Sequence, residues 1–443
     1  MKIQLSDHFT YQRLLHFCLP SIVMMIFTSI YGVVDGLFVS NFVGKIPFAA
    51  INLVMPFIMI LGGFGFMIGT GGSALIAKTL GEGNHKLANR YFSMLIIMTV
   101  ILGLFLTTIG IVFARRVSIL LGATDVMLDD CVIYLRTVLL FISPFMLQNV
   151  FQSFLVTAQK PHAGLIVTII AGLTNMSLDA LFIVVFRWGV AGAALATGIS
   201  QCIGGLLPLI LFLGKNDSLL HLVPTRLEWR PFFLSCTNGM SELMGNISSS
   251  IVSMLYNFQL LNYAGENGIA AYGVLMYVQF IFIAVFFGYT IGVGPVIGYH
   301  YGAGNHAELK NLLRKSLKLN IITGISMTIL ANLFAGALSR IFVGYDPELY
   351  AMTKSAFHIF ALSFLVCGIN IFASAFFTAL NNGLVSAVIS FLRTLVFQVG
   401  SVLILPAFLG LTGIWLSNTF ADLMAMLISI IFLAAMRKQY HYA

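Results

Sequence analysis

The amino-acid sequence predicts an all-α integral membrane protein, with twelve transmembrane helices in two pseudo-symmetric six-helix bundles. Three observations lead to this class. Of 443 residues, 59% are hydrophobic and only 9% charged, at a mean hydropathy of +0.98, whereas an average soluble domain carries about 25% charged residues. So few charges cannot clothe a water-facing surface, and lipid must act as the solvent. Apolar stretches of about 20 residues or more, each able to cross roughly 30 Å of hydrocarbon at 1.5 Å per residue, recur along the whole chain. Finally, the second half repeats elements of the first at a constant spacing of 221 residues.

Taken in order, the apolar cores fall at 14–39, 48–77, 91–114, 129–158, 162–186, 189–213, 232–261, 269–299, 317–338, 349–380, 384–408 and 413–436. The first is longer than a signal-peptide core and is expected to remain as a span. Orientation follows from Lys and Arg, which are retained on the cytoplasmic side. With the amino terminus inside, fifteen fall on cytoplasmic segments, Lys2, Lys78, Lys160, Lys215 and Lys438 among them, and six opposite, including Lys45 and Arg187. Both termini are therefore expected in the cytoplasm. The net charge of +8 is accounted for by orientation, and no nucleic-acid partner is expected. Five cysteines stand singly, mostly inside apolar runs, without metal-ligand spacing, and read as small core hydrophobes.

The repeat is most visible where Gly81-Glu-Gly-Asn-His85 returns as Gly302-Ala-Gly-Asn-His306. At the same spacing Gly71 meets Gly292, Asn41 meets Asn262, Asn149 meets Asn370, and Thr157-Ala158 meets Thr378-Ala379. Six spans per copy is an even number, so both copies enter the membrane from the same side and are related by an axis along its normal. The expected division is an N-terminal bundle at 1–214, a cytoplasmic linker at 215–230 and a C-terminal bundle at 231–443. The glycines of the repeated motif are expected to cap helices in a short cytoplasmic turn.

No phosphate-cradling loop, His-Glu-x-x-His or dinucleotide fingerprint is present. No cofactor and no enzymatic activity are expected. The informative residues are charges inside the bilayer, which cost at least about 2.5–3.5 kcal/mol at its centre unless they meet a partner or water. Four acids fall within predicted helices: Asp35, Asp179, Glu242 and Asp422. Asp35 and Asp179 share a depth of roughly 8–10 Å below the outer surface. Tyr31 lies one turn from Asp35, and Asn175 one turn from Asp179. Thr197 adds a hydroxyl at comparable depth. Such an oxygen cluster suits sodium, or a carboxylate pair in which burial and mutual repulsion favour a held proton. Glu242, Arg393 and Asp422 form a second group, read either as an internal salt-bridge network or as substrate contacts. Thirty-nine Phe and twenty Met also suit a promiscuous site for greasy cations.

Several segments together resemble the multidrug and toxic-compound extrusion (MATE) family. These are Pro20 followed by Val-Val-Asp35-Gly-Leu-Phe-Val, the Gly-rich second helix ending Ala-Lys-Thr-Leu-Gly-Glu-Gly-Asn, Asn175-x-x-x-Asp179, and Gly-Val-Ala-Gly-Ala-Ala-Leu-Ala-Thr197. The resemblance covers essentially the whole chain and is strongest to the branch typified by the DNA-damage-inducible protein F. It implies an antiporter that alternates access and exports amphiphilic or cationic organic compounds against inward proton or sodium flow. It places ion coupling at Asp35, Asn175, Asp179 and Thr197, and gives Tyr31 and Asn149 as polar neighbours. Another branch couples at a helix-7 Glu and a helix-10 Asp. Here Ser249 stands near the first position, and no acid lies between Ser355 and Leu380.

The expectations are therefore a proton or sodium site at Asp35, Asn175, Asp179 and Thr197, with Tyr31, Asn149, Glu242 and Arg393 lining a cavity. The partners would be a small organic substrate and membrane lipid, in a monomeric, multi-pass plasma-membrane protein. A flippase for a lipid-linked saccharide is the alternative.

Overall fold

The computed structural model describes residues 3–214 and 217–442. Lys2 and Lys215, counted above as cytoplasmic, and the first two linker residues lie outside these, as does the side chain of Lys45. All regular structure among the described residues is helical. The spans are α1 (Tyr11–Val43), α2 (Ile46–Gly81), α3 (His85–Leu120), α4 (Leu128–Leu139 and Ile142–Thr157, bent by 56°), α5 (Pro161–Val185) and α6 (Gly189–Leu213). After the short helix Trp229–Asn238, one 63-residue run, Met240–Gly302, follows. Then come α9 (His306–Val343), α10 (Pro347–Ala379), α11 (Gly383–Leu409) and α12 (Leu411–Ala435).

At 1.5 Å per residue, a straight helix of that length would be about 95 Å long, some three bilayers. It is not straight. Gly265 adopts φ 62° and ψ −153°, a conformation that only glycine takes readily. Around it the chain doubles back, so that the rings of Tyr256 and Tyr272 stack 4.8 Å apart and nearly parallel. The run is thus two spans, α7 (240–264) and α8 (266–302), which brings the number to twelve. Large apolar side chains such as Leu120, Leu333 and Phe408 remain 71–86% exposed on the outside, where acyl chains rather than water meet them.

The repeated glycine motif folds identically in its two copies. Gly83 and Gly304 sit at φ +80° and +66°, and Asn84 and Asn305 cap α3 and α9 by accepting the N–H groups of Leu87 and Glu308, each at 3.1 Å. The linker is an extended strap bound to α3, not a loose tether. His221 N–H donates to Asn89 Oδ1 at 3.0 Å, Val223 N–H to Ser93 Oγ at 2.9 Å, and Arg90 pairs with Glu228 at 2.8 Å.

Four apolar cores show how the halves meet. One, around Ile58, Tyr134 and Ala194, is built wholly from α1–α6. Another, around Tyr256, Phe360 and Trp415, is built wholly from α7–α12. The other two mix the halves: Phe17 and Cys18 pack with Val293 and Phe372, and Phe92 and Phe154 with Phe232 and Leu243. The mixed cores lie at the end that carries both termini, where Tyr440 and Tyr442 join Leu5 and Phe9. The halves are therefore joined at the termini-bearing end and separate towards the far end. At the seam, a Cβ on Gly81 would collide with the Tyr299 carbonyl, and one on Gly302 with that of Lys78. These contacts form a reciprocal pair that the 221-residue repeat relates.

Candidate functional site

Asp35 lies six and a half turns into α1, and Asp179 closes the α-helical part of α5. Beyond each acid the helix widens into a π-helical stretch, Val39–Val43 four residues after Asp35 and Ala180–Val185 directly after Asp179. The two stretches touch each other. Such widened turns recur at functional positions because they displace side chains from the regular helical track. Here they mark the outer flank of the cluster that the sequence singled out.

The Asp35 carboxyl faces Asp179 and lies beside the Asn175 side chain. Asp179 has no exposed surface and Asn175 only 2%. Tyr134 on α4 lies beside Thr197 on α6, and Tyr31 beside Gln148. All four predicted coupling residues are thus brought together inside the N-terminal half. The cluster is rich in oxygen and poor in donors. Asp35 Oδ1, Asn175 Oδ1, both oxygens of Asp179 and Thr197 Oγ1 are buried without a completed protein hydrogen bond. No Lys, Arg or His forms an ion pair with either acid among the described residues. Two facing carboxyls in such surroundings call for a positive charge or a proton between them.

Tyr134 went unmarked in the sequence because nothing in its own helix distinguishes its hydroxyl, and only the α4–α6 packing brings it beside Thr197. Within the membrane, its 2% exposure and its position against the acids make it part of the cluster.

A second feature lies between the halves. A cavity of about 210 Å³, open to solvent, is lined from α1, α2 and α4 on one side and α7, α8 and α10 on the other. Met25, Phe66, Ser153, Glu242, Asn246, Phe287 and Thr378 are among its walls. Of the four residues expected to line a cavity, Glu242 stands in this wall, and Tyr31, Asn149 and Arg393 are placed elsewhere. Asn149 is buried and spends its amide on the Gly62 carbonyl at 3.1 Å. Arg393 Nε donates to Asp422 Oδ1 at 2.7 Å, within a group completed by Asn370, whose amide donates to the Asp422 carbonyl at 2.8 Å. Tyr31 faces the Asp35 cluster. Glu242 takes no part in the Arg393–Asp422 pair.

Twelve helical spans from a duplicated unit and a cavity between the halves define a polytopic membrane transporter. Comparison with known proteins agrees and makes the class specific. The MatE family model matches the chain twice, over residues 20–181 and 243–404. Two relatives named multidrug export protein MepA align along nearly the full length. That of Staphylococcus haemolyticus is 25% identical, covering 97% of this chain and 94% of its own. That of Staphylococcus saprophyticus is 26% identical, covering 94% and 93%. Among solved structures, a MATE in complex with MaL6 superposes with a TM-score of 0.93 at 21% identity, covering 98% of each chain. An outward-facing multidrug resistance MATE family transporter of the MOP superfamily gives 0.92, again at 21% identity and 98% coverage of each. The chain belongs to the MATE family, a family of membrane transporters and not of enzymes.

Proposed function

We propose that this protein is a cation-coupled antiporter that exports amphiphilic or cationic organic compounds, driven by inward flow of protons or sodium ions through Asp35, Asn175, Asp179 and Thr197. The observation that carries the reading is the facing pair of half-buried Asp35 and fully buried Asp179, with no ion-pair partner among the described residues. Neutralising that pair, by a proton or by sodium held among its carboxyl, amide and hydroxyl oxygens, changes the charge that α1, α4, α5 and α6 must accommodate. α1 carries Asp35 and, ten residues earlier, Met25 in the cavity wall. Ion occupancy is in this way connected to the shape of the substrate chamber. The coupling requires the ion to bind one packing of the N-terminal half more tightly than the other.

In this reading the protein works as a monomer in the plasma membrane, surrounded by lipid, with both termini cytoplasmic. Bundles at 1–214 and 231–443 move about the 215–230 linker. The names of the MepA relatives support drug-like cargo. A lipid-linked saccharide flippase is disfavoured, because a pyrophosphate headgroup needs basic residues and the cavity wall holds one acid and no Lys or Arg.

Everted membrane vesicles expressing the wild type should extrude a fluorescent cationic dye when energised by a pH or a sodium gradient. Asp35→Asn and Asp179→Asn should insert normally and lose that response. Export at wild-type rate by both variants contradicts the proposal.

A further inference from the structure

Glu242 is the third residue of α7, where a glutamate commonly folds back to cap its own helix. That role is closed to it here. The N–H it would meet, that of Gly239, already donates to the Ser235 carbonyl at 3.0 Å. Nor does the Glu242 carboxylate take part in any ion pair or side-chain hydrogen bond among the described residues, and it is partly buried. Its neighbours in the cavity are committed elsewhere. The Asn246 amide donates to the Glu242 main-chain carbonyl at 2.9 Å, Thr70 Oγ1 to Phe66 O at 2.9 Å, and Thr290 Oγ1 to Phe287 O at 2.8 Å. Among the described residues Glu242 is the only ionisable side chain in the cavity wall, which Phe66, Phe287 and Met25 also line.

We infer that Glu242 is the anchor for the positive centre of a bulky organic monocation. The inference rests on the antiporter reading and names the substrate contact within it. An unpaired carboxylate in a partly dehydrated chamber attracts a cation strongly. Aromatic faces and a thioether favour a delocalised or shielded charge over a small hydrated ion. One acid with no base in the wall selects single positive charge and rejects anions of the same shape. Because the lining comes from both halves, the cation is held where a change in their angle exposes or encloses it. This contact is separate from the Asp35–Asp179 cluster, which lies within one half.

Tetraphenylphosphonium and tetraphenylborate, nearly identical in shape and opposite in charge, provide the test on purified full-length protein in nanodiscs, read by equilibrium dialysis. The wild type should bind the phosphonium and discriminate against the borate. E242Q should bind the phosphonium at least tenfold more weakly, and E242D should keep most of the affinity. Asn246→Lys, one turn from Glu242, should lose phosphonium binding and gain affinity for the borate; it keeps the question answerable if E242Q misfolds. Unaltered phosphonium binding by E242Q, or by Asn246→Lys where E242Q cannot be obtained folded, overturns the inference. So does a failure of the wild type to bind the phosphonium. If E242Q retains binding and loses only gradient-driven exchange, Glu242 is a coupling group and the inference is equally wrong. Should neither gradient drive export by the wild type while binding follows the pattern above, the antiporter reading fails and the anchor stands.

Discussion

Asp179 has no exposed surface, and its nearest charged neighbour is another carboxyl, that of Asp35. Left fully ionised in a medium of low polarity, the two would repel each other strongly. The cluster is therefore stable only with a proton or metal cation among its oxygens, and removing either acid should relieve the fold of a constraint. Asp179→Asn is accordingly expected to melt no lower than wild type while losing ion-driven export, and a loss of both together would mark the residue as merely structural. Tyr134 stands beside Thr197 and the two acids. Tyr134→Phe removes a polar oxygen from the cluster, an effect on the order of 1 kcal/mol, and should weaken the apparent affinity for the coupling ion about fivefold with substrate binding unchanged. The same reasoning separates Asp422, which has Arg393 at 2.7 Å, from Asp179: a paired acid stabilises the resting fold, and an unpaired one invites a ligand.

At the scale of single elements, the sequence located nearly every span to within a few residues, because hydropathy registers the lipid that each helix crosses. It was least accurate at α9, expected at 317–338 and found at His306–Val343. The additional turns project beyond the hydrocarbon, where Asn305 caps the helix and the charged heads of Lys310, Arg314 and Lys315 prefer water. These turns hold the N-terminal segment: buried Glu308 accepts from His8 Nδ1 at 2.6 Å, Phe9 N–H at 2.9 Å and Asn311 Nδ2 at 2.7 Å. Glu308→Ala leaves the buried Phe9 N–H without its acceptor, at a cost of about 1–3 kcal/mol. Amide hydrogen exchange of residues 3–10 should quicken accordingly, and unchanged protection would show that the segment is held by its apolar contacts alone. The linker also was read incompletely. Its polarity was plain, but its hydrogen bonds to Asn89 and Ser93 depend on a surface of α3 that forms only after folding. The kink at Gly265, by contrast, fell in the predicted gap between 261 and 269.

For the molecule as a whole, the 221-residue repeat foretold two related halves, but not the state in which they meet. That depends on glycines whose close approaches are visible only in three dimensions. Gly292 lies against Cys18, and Gly81 and Gly302 against the opposite backbone, so the termini-bearing end is sealed. Gly81→Val should overpack this seam by about 1–3 kcal/mol, shifting the population towards opening at that end by about 5- to 150-fold. Cys18, buried in the seam, reports on it directly. In a variant keeping only that cysteine, maleimide labelling from the termini-bearing side should accelerate with Gly81→Val, and an unchanged rate would mean that the seam does not gate access. The cavity was equally hidden from sequence, since its walls come from six spans far apart in the chain.

The most direct test of ion coupling at Asp35 and Asp179 uses proteoliposomes of purified wild type, Asp35→Asn and Asp179→Asn, loaded with an organic cation. Imposed pH and sodium gradients are compared with gradient-free exchange of labelled for unlabelled substrate. The account predicts that one gradient accelerates wild-type export, and that both variants exchange substrate yet ignore either gradient. Gradient-accelerated export by the two variants, equal to that of the wild type, would contradict it.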